Sequence, residues 1–234
     1  MAPQANGIAA VRPEGMSAAL GREIIGGTLQ PGEILTLDSL QGRFGVSRTV
    51  ARDGVKVLES LGLLYSKRRV GLVVTAEDQW NVYAPSVIAW RLESEHSRKA
   101  YVELSQLRIA VEPEAAELAA QHRSEEQMEE LLALASKMRR LGEAGRLEEF
   151  MVADVAFHRL LLEAGGNTMF TALGDVVAEV LTGRTHHGLM PERPKPEALD
   201  AHDAVARGIA QQDTRTAREN MQLLVDEVRR ALEE

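Results

Sequence analysis

The fold of this chain is decided by residues 46–64, which read VSRTVARDGVKVLESLGLL. The stretch predicts a helix whose N-terminus is capped by the hydroxyl of Ser47 or Thr49. Apolar residues recur at helical spacing and are expected to face a core: Val50, Val57, Leu58 and Leu61. Arg48 and Arg52 share one exposed face at the start of the helix, where a recognition helix meets DNA bases and phosphates. The simpler alternative is an amphipathic helix with a solvated basic face.

The neighbouring segments favour the DNA-binding alternative. A first helix is predicted over 18–25, and a short second helix over 38–44 ends at Gly45, a typical C-terminal cap. Downstream, two β-prone runs flank the basic tip at 67–71, which predicts a hairpin. Three helices followed by a charged hairpin make a winged helix-turn-helix.

The charge distribution supports nucleic-acid binding at this end of the chain. Between residues 37 and 75, seven Lys and Arg side chains stand against three Asp and Glu, although the whole chain has a formal net charge of −8. A basic island on an acidic protein is a local phosphate-binding footprint. The acidic remainder repels nucleic acid, so contact with DNA is expected only at the basic end.

Length and composition bound the remaining possibilities. The 234 residues are enough for two domains. The chain has no cysteine, which excludes disulfides and thiolate metal sites and fits a reducing, cytoplasmic compartment. No apolar run reaches membrane-spanning length, so no membrane partner is expected. The first residues lack the apolar region of a secretory signal and predict a flexible arm over 1–15.

The second half of the chain changes to long helical patterns. A winged helix-turn-helix over 16–77 is followed by a predicted linker over 78–97. Residues 98–234 then predict an all-α bundle of six or seven helices. The fold class is therefore mainly α.

The chain resembles the GntR-type transcriptional regulators of the FadR subfamily, whose second half is an FCD effector-binding domain. The winged-helix part of the resemblance is carried by Pro31-Gly32, residues 44–49, Arg52-Asp53, Leu58, residues 61–63 and Gly71. The effector-domain part is carried by Arg108, Glu112, residues 115–116 and 118–120, Asp154, Phe157-His158, Asn167 and His202. In the linker, residues 79–81 and 87–90 resemble the branch that regulates galactonate and related sugar-acid catabolism.

The resemblance implies a homodimeric regulator, expected to be a repressor, that binds palindromic double-stranded operator DNA and releases it when a metabolite binds. It assigns DNA contacts to four residues at the start of the recognition helix: Ser47, Arg48, Thr49 and Arg52. Arg68 and Arg69 at the wing tip are expected to reach the minor groove or the backbone. Two residues depart from the family pattern. Asp38 stands where many relatives have arginine, and Arg69 where the wing usually has glycine.

A metal site is predicted in the effector domain. Asp154 and His158 are one helical turn apart, and His202 on a later helix can join them in a bundle core. One carboxylate with imidazoles suits Zn²⁺, Ni²⁺ or Mn²⁺. The alternative is that Asp154 and His158 only hydrogen-bond each other in a polar pocket.

The resemblance leaves the predicted ligand set incomplete. Many FCD domains have a fourth histidine at the position where this chain has Leu224. His186 or His187, a water molecule or a bound ligand are the candidates for the missing position.

An effector pocket is predicted beside the metal. Arg108 faces inward by its register, and a buried arginine needs a partner. Glu112, one turn on, is the structural partner, whereas the functional alternative is that Arg108 clamps a carboxylate of the effector with help from Arg184. The hypothesis is a small hydroxy acid such as an aldonate.

Two other classes of function compete with the regulator. A metal-dependent enzyme could be built on the bundle, with residues 154, 158 and 202 holding a hydrolytic metal. An α-helical adaptor could use the winged helix to bind protein. The sequence has no nucleophile motif, no phosphate loop and no second carboxylate placed as general base, which predicts that the chain is not an enzyme.

Overall fold

The computed structural model describes residues 13–187, 191 and 193–233 and divides into two compact units, between Glu95 and His96. The first helix begins at Pro13, and residues 1–12 of the predicted arm lie outside the described part of the chain. The division falls inside the predicted linker at 78–97. The mainly α fold, with a winged helix-turn-helix followed by a helical bundle, is confirmed.

The first unit is a winged helix with one additional helix. Its three strands form an antiparallel sheet in the order β1-β3-β2, in which Tyr65 lies opposite Val73. The elements are α1 (Pro13–Ile25), β1 (Ile34–Leu35), α2 (Leu37–Phe44), α3 (Arg48–Ser60), β2 (Leu64–Lys67), β3 (Gly71–Val74), a 3-10 turn (Glu77–Gln79) and α4 (Pro85–Glu93).

The recognition helix α3 begins at a side-chain cap. The Ser47 hydroxyl accepts a hydrogen bond from the Val50 N–H at 3.3 Å, so Ser47 is the cap and Thr49 lies within the helix. The preceding helix α2 ends at Gly45, whose φ of 64° is the left-handed conformation that glycine adopts without steric cost. The turn between α2 and α3 is therefore short, because α2 ends at the glycine cap and α3 begins at the serine cap two residues later.

The core face of α3 differs from the predicted one at Val57. The buried stripe consists of Ala51, Gly54, Val55 and Leu58, whereas Val57 is 45% exposed. The prediction that Val57 faces the core was wrong. The core face of the helix runs through Ala51 and Leu58, and Val57, as the residue next to Leu58, is turned about 100° away from that face.

Helix α4 packs against α1 of the first unit through an aromatic contact. Trp90 is 7% exposed and packs over Gly21 of α1. A Cβ atom at residue 21 would lie closer than 3.0 Å to three carbon atoms of the Trp90 ring. Glycine is therefore the residue that allows α1 and α4 to approach this closely.

The second unit is an all-α bundle. Its seven helices in the described residues are α5 (Ser97–His122), α6 (Glu125–Glu143), α7 (Leu147–Ala164), α8 (Thr168–Thr171), α9 (Gly174–His186), α10 (Pro196–Ala210) and α11 (Thr214–Glu233). The largest fully buried side chains here include Phe157, Leu161 and Leu162 of α7, so this helix lies at the centre of the core. Within the described residues, none of the helices combines the length and the apolar character needed to cross a membrane.

We expect Gly21→Ala to destabilise the first unit by about 1–3 kcal/mol, because the added methyl group overpacks the contact with Trp90. The matched control is Gly42→Ala in α2, where a Cβ meets no atom within 4 Å. That variant should be stabilised by up to about 1 kcal/mol through helix propensity. Both tryptophans, Trp80 and Trp90, lie in the first unit, so urea denaturation followed by tryptophan fluorescence reports on it. Equal midpoints for the two variants would contradict the packing described.

Candidate functional site

Three predicted metal ligands are brought together in the second unit. Asp154 and His158 lie one turn apart on α7, and His202 of α10 completes the group. The Asp154 Oδ1 atom lies 3.3 Å from His158 Nε2 and 3.2 Å from His202 Nε2. One ligand atom from each of the three buried side chains lies within 4.8 Å of the others.

Outer contacts turn both imidazoles so that Nε2 faces the carboxylate. His202 Nδ1 lies 2.7 Å from the carbonyl oxygen of Ala198, to which it donates a hydrogen bond in the tautomer that leaves Nε2 bare. His158 Nδ1 lies 2.7 Å from Glu112 Oε2, which is an ion-pair distance without the alignment of a hydrogen bond. Contacts of this kind, to a carbonyl and to a carboxylate, orient metal-binding histidines.

The alternative, a hydrogen-bonded polar pocket, is compatible with the same distances. The distances around Asp154 suit ion pairs, but Asp154 Oδ1 and His202 Nε2 are buried without an aligned hydrogen-bond partner among the described residues. Leaving a buried polar atom unsatisfied costs about 1–3 kcal/mol. A cation among the three ligand atoms would satisfy them, so the residues present fit a divalent ion.

Burial and charge pairing oppose each other in this cluster. Burial alone raises the pKa of Asp154, but the contacts with His158 and His202 outweigh it and hold that pKa below its usual range. Burial alone lowers the pKa of His158, but Glu112 and Asp154 raise it to about 9. For Glu112, burial is outweighed by Arg108 and His158, which lower its pKa to about 2. Both carboxylates are therefore anionic at neutral pH.

Arg108 pairs with Glu112 as expected, and one nitrogen of its guanidinium takes no part in this pairing. Its Nε and Nη2 atoms donate to the two carboxylate oxygens of Glu112, the second at 3.2 Å. Its Nη1 atom is buried and has no hydrogen-bond partner among the described residues. The Glu112 pairing alone therefore does not satisfy the guanidinium.

A cavity of about 90 Å³ opens beside the three ligands. That volume is several times the space one water molecule needs. The cavity is lined by Arg108, Phe150, Asp154, His158, Leu181, Arg184, Pro191, Pro194, Lys195, Ala198, His202, Leu224 and Glu227.

Arg184 is the unpaired cation of this cavity. It is partly buried, and no described carboxylate forms an ion pair with it, although the charges of Asp154 and Glu227 in the same cavity act on it. Burial and nearby Arg108 lower its pKa to about 10, so it remains positive at neutral pH. Lys195 instead pairs with Glu227 at 3.1 Å. The cavity thus presents unpaired positive charge to an anion.

Neither candidate for the missing fourth ligand joins the group. His186 is half exposed and lies 3.5 Å from Glu148. His187 Nδ1 contacts the hydroxyl of Tyr101 at 2.8 Å. Leu224 lines the cavity but offers no ligand atom. Among the described residues, the group therefore has three protein ligands.

The predicted DNA contacts lie on an exposed face of the first unit. Ser47, Arg48, Thr49 and Arg52 are exposed at the N-terminal end of α3. Arg68 and Arg69 are exposed at the turn between β2 and β3, and Arg69 has a φ of 64°. Arg48 Nη1 lies 3.4 Å from Asp38 Oδ1 of α2.

Two roles were missed by reasoning from the sequence. Glu112 bridges Arg108 and His158, although only its spacing from Arg108 was visible along the chain. The bridge to His158 requires the packing of α5 against α7. The contact between Asp38 and Arg48 likewise depends on the angle between α2 and α3.

Two family models match the chain in order. Residues 14–74 match the model described as bacterial regulatory proteins, gntR family, and residues 103–227 match the FCD domain. The matched ranges contain the exposed basic face and the Asp154 cluster, respectively.

The chain is similar to two regulators of Escherichia coli strain K12. It is 29% identical over 203 residues to the uncharacterized HTH-type transcriptional regulator YieP, with 85% of each chain covered. It is 26% identical over 219 residues to the galactonate operon transcriptional repressor, with 92% of this chain and 94% of that protein covered.

Two solved structures share the fold. The Listeria monocytogenes protein Lar, described as controlling expression of the agr system, superposes with a TM-score of 0.59 at 18% identity, with 99% of each chain covered. McbR/YncC of E. coli superposes with a TM-score of 0.53 at 16% identity, with 94% of this chain and 96% of that chain covered.

Proposed function

Since the chain belongs to the GntR-family transcriptional regulators that carry an FCD domain, we propose that it is a repressor released from its operator by a small carboxylic acid. DNA binding and transcriptional regulation follow from the family, and the relatives are regulators rather than enzymes. The proposal concerns the contacting residues, the metal and the effector. The single observation that carries it is the cavity in which Arg184 and the Arg108 Nη1 atom lack a carboxylate partner among the described residues.

The proposed DNA contacts are the exposed residues of α3 and the wing. Arg48 and Arg52 are suited to guanine O6 and N7 or to phosphate, and Thr49 to phosphate or a thymine methyl group. The Ser47 hydroxyl can still donate to a phosphate while it accepts from Val50. Arg68 and Arg69 are placed at the wing tip to reach the minor groove or the backbone.

We further propose that two chains bind one palindromic operator. A single recognition helix reads only a few base pairs, and a homodimer with two such helices reads two half-sites about one helical turn apart. Two chains per duplex is the stoichiometry that this arrangement requires.

Arg48→Ala should weaken operator binding by about 1–3 kcal/mol if Arg48 reads a base. The measurement is fluorescence anisotropy with duplex DNA from upstream of the chain's own gene, titrated to give affinity and stoichiometry. Arg215→Ala is the control, because Arg215 is an exposed arginine of the second unit whose side chain is 83% exposed. Unchanged affinity in the Arg48 variant would remove that residue from the interface.

The metal proposal rests on Asp154, His158 and His202, with Zn²⁺, Ni²⁺ or Mn²⁺ as the ion. The support is the donor set, the outer contacts of both imidazoles and the buried atoms without aligned partners. When bound, such an ion supplies positive charge and open coordination positions to an anionic ligand. Because Leu224 offers no fourth ligand, the effector or water is proposed to occupy those positions.

His202→Ala should abolish metal retention. Loss of an outer-shell partner alone typically costs about 10–100-fold in metal affinity, and loss of a direct ligand should cost at least as much. Elemental analysis of the purified protein and thermal shift with each added ion give the readouts. The exposed His122 at the end of α5 supplies the matched control, His122→Ala, which should keep its metal. Equal metal content in the two variants would refute the assignment.

The proposed effector is a small hydroxy acid such as an aldonate. Arg184 and the Arg108 Nη1 atom supply donors for its carboxylate, and Asp154 and the two histidines line the same cavity. Similarity to a galactonate operon repressor supports a sugar acid as the class to test first.

The switch follows from differential binding. An effector lowers operator affinity only if it binds the DNA-incompetent state more tightly than the DNA-bound state. A carboxylate that pairs Arg184 is proposed to supply this difference, because it replaces an unpaired cation by an ion pair.

Isothermal titration calorimetry with a panel of aldonates and other small hydroxy acids tests the effector. At least one acid should bind the wild type, and Arg184→Met should weaken it about tenfold or more, because hydrogen bonds to charged groups contribute about 1.5–3 kcal/mol. Arg140→Met is the control, since Arg140 is exposed and donates only to Ser136 among the described side chains. Absence of binding by every small carboxylate would exclude this class of effector.

A further inference from the structure

An exposed carboxylate stands beside the first arginine of the recognition helix. Asp38 lies in the first turn of α2, and its side chain is 81% exposed. Its Oδ1 atom lies 3.4 Å from Arg48 Nη1 and accepts a hydrogen bond from Gln41 Nε2 at 3.1 Å. The Asp38 Oδ1 atom thus contacts both Gln41 of α2 and Arg48 at the start of α3.

Folding energetics do not account for this pair. A carboxylate in the first turn favours α2 through the helix dipole, but Arg48 is the first residue of α3, where a cation is unfavourable. Ion pairs between exposed side chains contribute little stability, and both partners are more than 60% exposed. The contact therefore biases the direction of the Arg48 guanidinium without a substantial gain in stability.

This bias matters for what Arg48 can bind. A free arginine side chain samples many rotamers and can reach any nearby phosphate. With Nη1 held toward Asp38, the Nε and Nη2 edge of the guanidinium remains available as a two-donor fork. Among the base edges of the major groove, guanine presents the two acceptors, O6 and N7, that such a fork matches.

The negative charge of Asp38 also favours sequence discrimination over general affinity for DNA. A carboxylate at a DNA-facing surface is repelled by phosphates, so it weakens binding to every sequence alike. The orienting effect is useful only where a guanine meets the fork. Arg52, which has no ion-pair partner among the described residues, has no comparable bias.

We propose that Asp38 is a specificity-determining residue that positions Arg48 to read one guanine of a G·C pair in each half-site. The inference rests on the proposed role of Arg48 in DNA binding. Asp38 acts through Arg48, so it is a positioning residue whose loss relaxes base preference while binding to unrelated DNA improves.

The test is in vitro selection from a random duplex library with the full-length chain, followed by affinity measurements on single-base variants of the selected site. The proteins compared are the wild type, Asp38→Asn, Arg48→Ala and the double variant. The matched control is Asp53→Asn, because exposed Asp53 pairs with Lys56 at 3.3 Å on the same unit and its removal changes the net charge equally. Thermal melting verifies that each variant is folded.

The wild type should select a guanine whose preference Arg48→Ala abolishes. Asp38→Asn should reduce the preference for that guanine about tenfold or more, at that position alone. Asp53→Asn should keep the preference, while both Asn variants bind unrelated DNA more tightly. The double variant should discriminate no worse than Arg48→Ala.

The contrary outcomes are distinct. If Asp38→Asn keeps the wild-type guanine preference, or loses preference at all positions equally, the positioning role is overturned. Further loss of discrimination in the double variant shows that Asp38 acts independently of Arg48 and also overturns it. If the wild type selects no sequence at all, the proposed DNA contacts fail, and this inference fails with them.

Discussion

Two carboxylates buried inside a helical bundle constrain the second unit more than any other feature. An ionised carboxylate is stable in such an interior only when cations or donors surround it. Glu112 meets this requirement with Arg108 and His158, and Asp154 with His158 and His202. Along the series Arg108, Glu112, His158 and Asp154 the charges alternate in sign, and His202 of α10 adds a further polar contact to Asp154. The helices are therefore held in register by charge as well as by apolar packing.

This constraint explains the position of the cavity beside Asp154. The packing around Phe157 supports both imidazole rings, at centroid distances of 5.7 Å for His158 and 5.4 Å for His202. The same alternation leaves Arg184 and one nitrogen of Arg108 without carboxylates among the described residues. A bound anion, as proposed for the effector, would supply the negative charge that these two arginines lack. Binding energy obtained in this way can be coupled to another site of the protein.

Much of this arrangement was predictable from local spacing. The one-turn separation of Asp154 and His158 predicted a shared helix face, and the glycine stop before Ser47 predicted the helix-turn-helix. Spacing did not predict which of two adjacent apolar residues is buried. Val57 lies beside the buried stripe, and its exposure depends on how α3 is rotated against its neighbours.

The remaining features depend on tertiary geometry. The bridge from Glu112 to His158 joins residues 46 positions apart on different helices, which no repeat along the chain reports. For Arg108, the sequence offered two partners, an internal carboxylate and a ligand. The guanidinium has enough donors to accommodate both, with Nε and Nη2 on Glu112 and Nη1 left over.

At the wing tip, the backbone conformation of Arg69 favours glycine, whereas the proposed contact with DNA favours arginine. Arg69 adopts a φ of 64°, a conformation that costs a residue with a Cβ atom about 1 kcal/mol or more relative to glycine. Variants selected for thermal stability alone should therefore drift toward glycine at residue 69. If Arg69 contacts DNA as proposed, variants selected for operator binding should keep the arginine, so the two selections would give different residues at this turn.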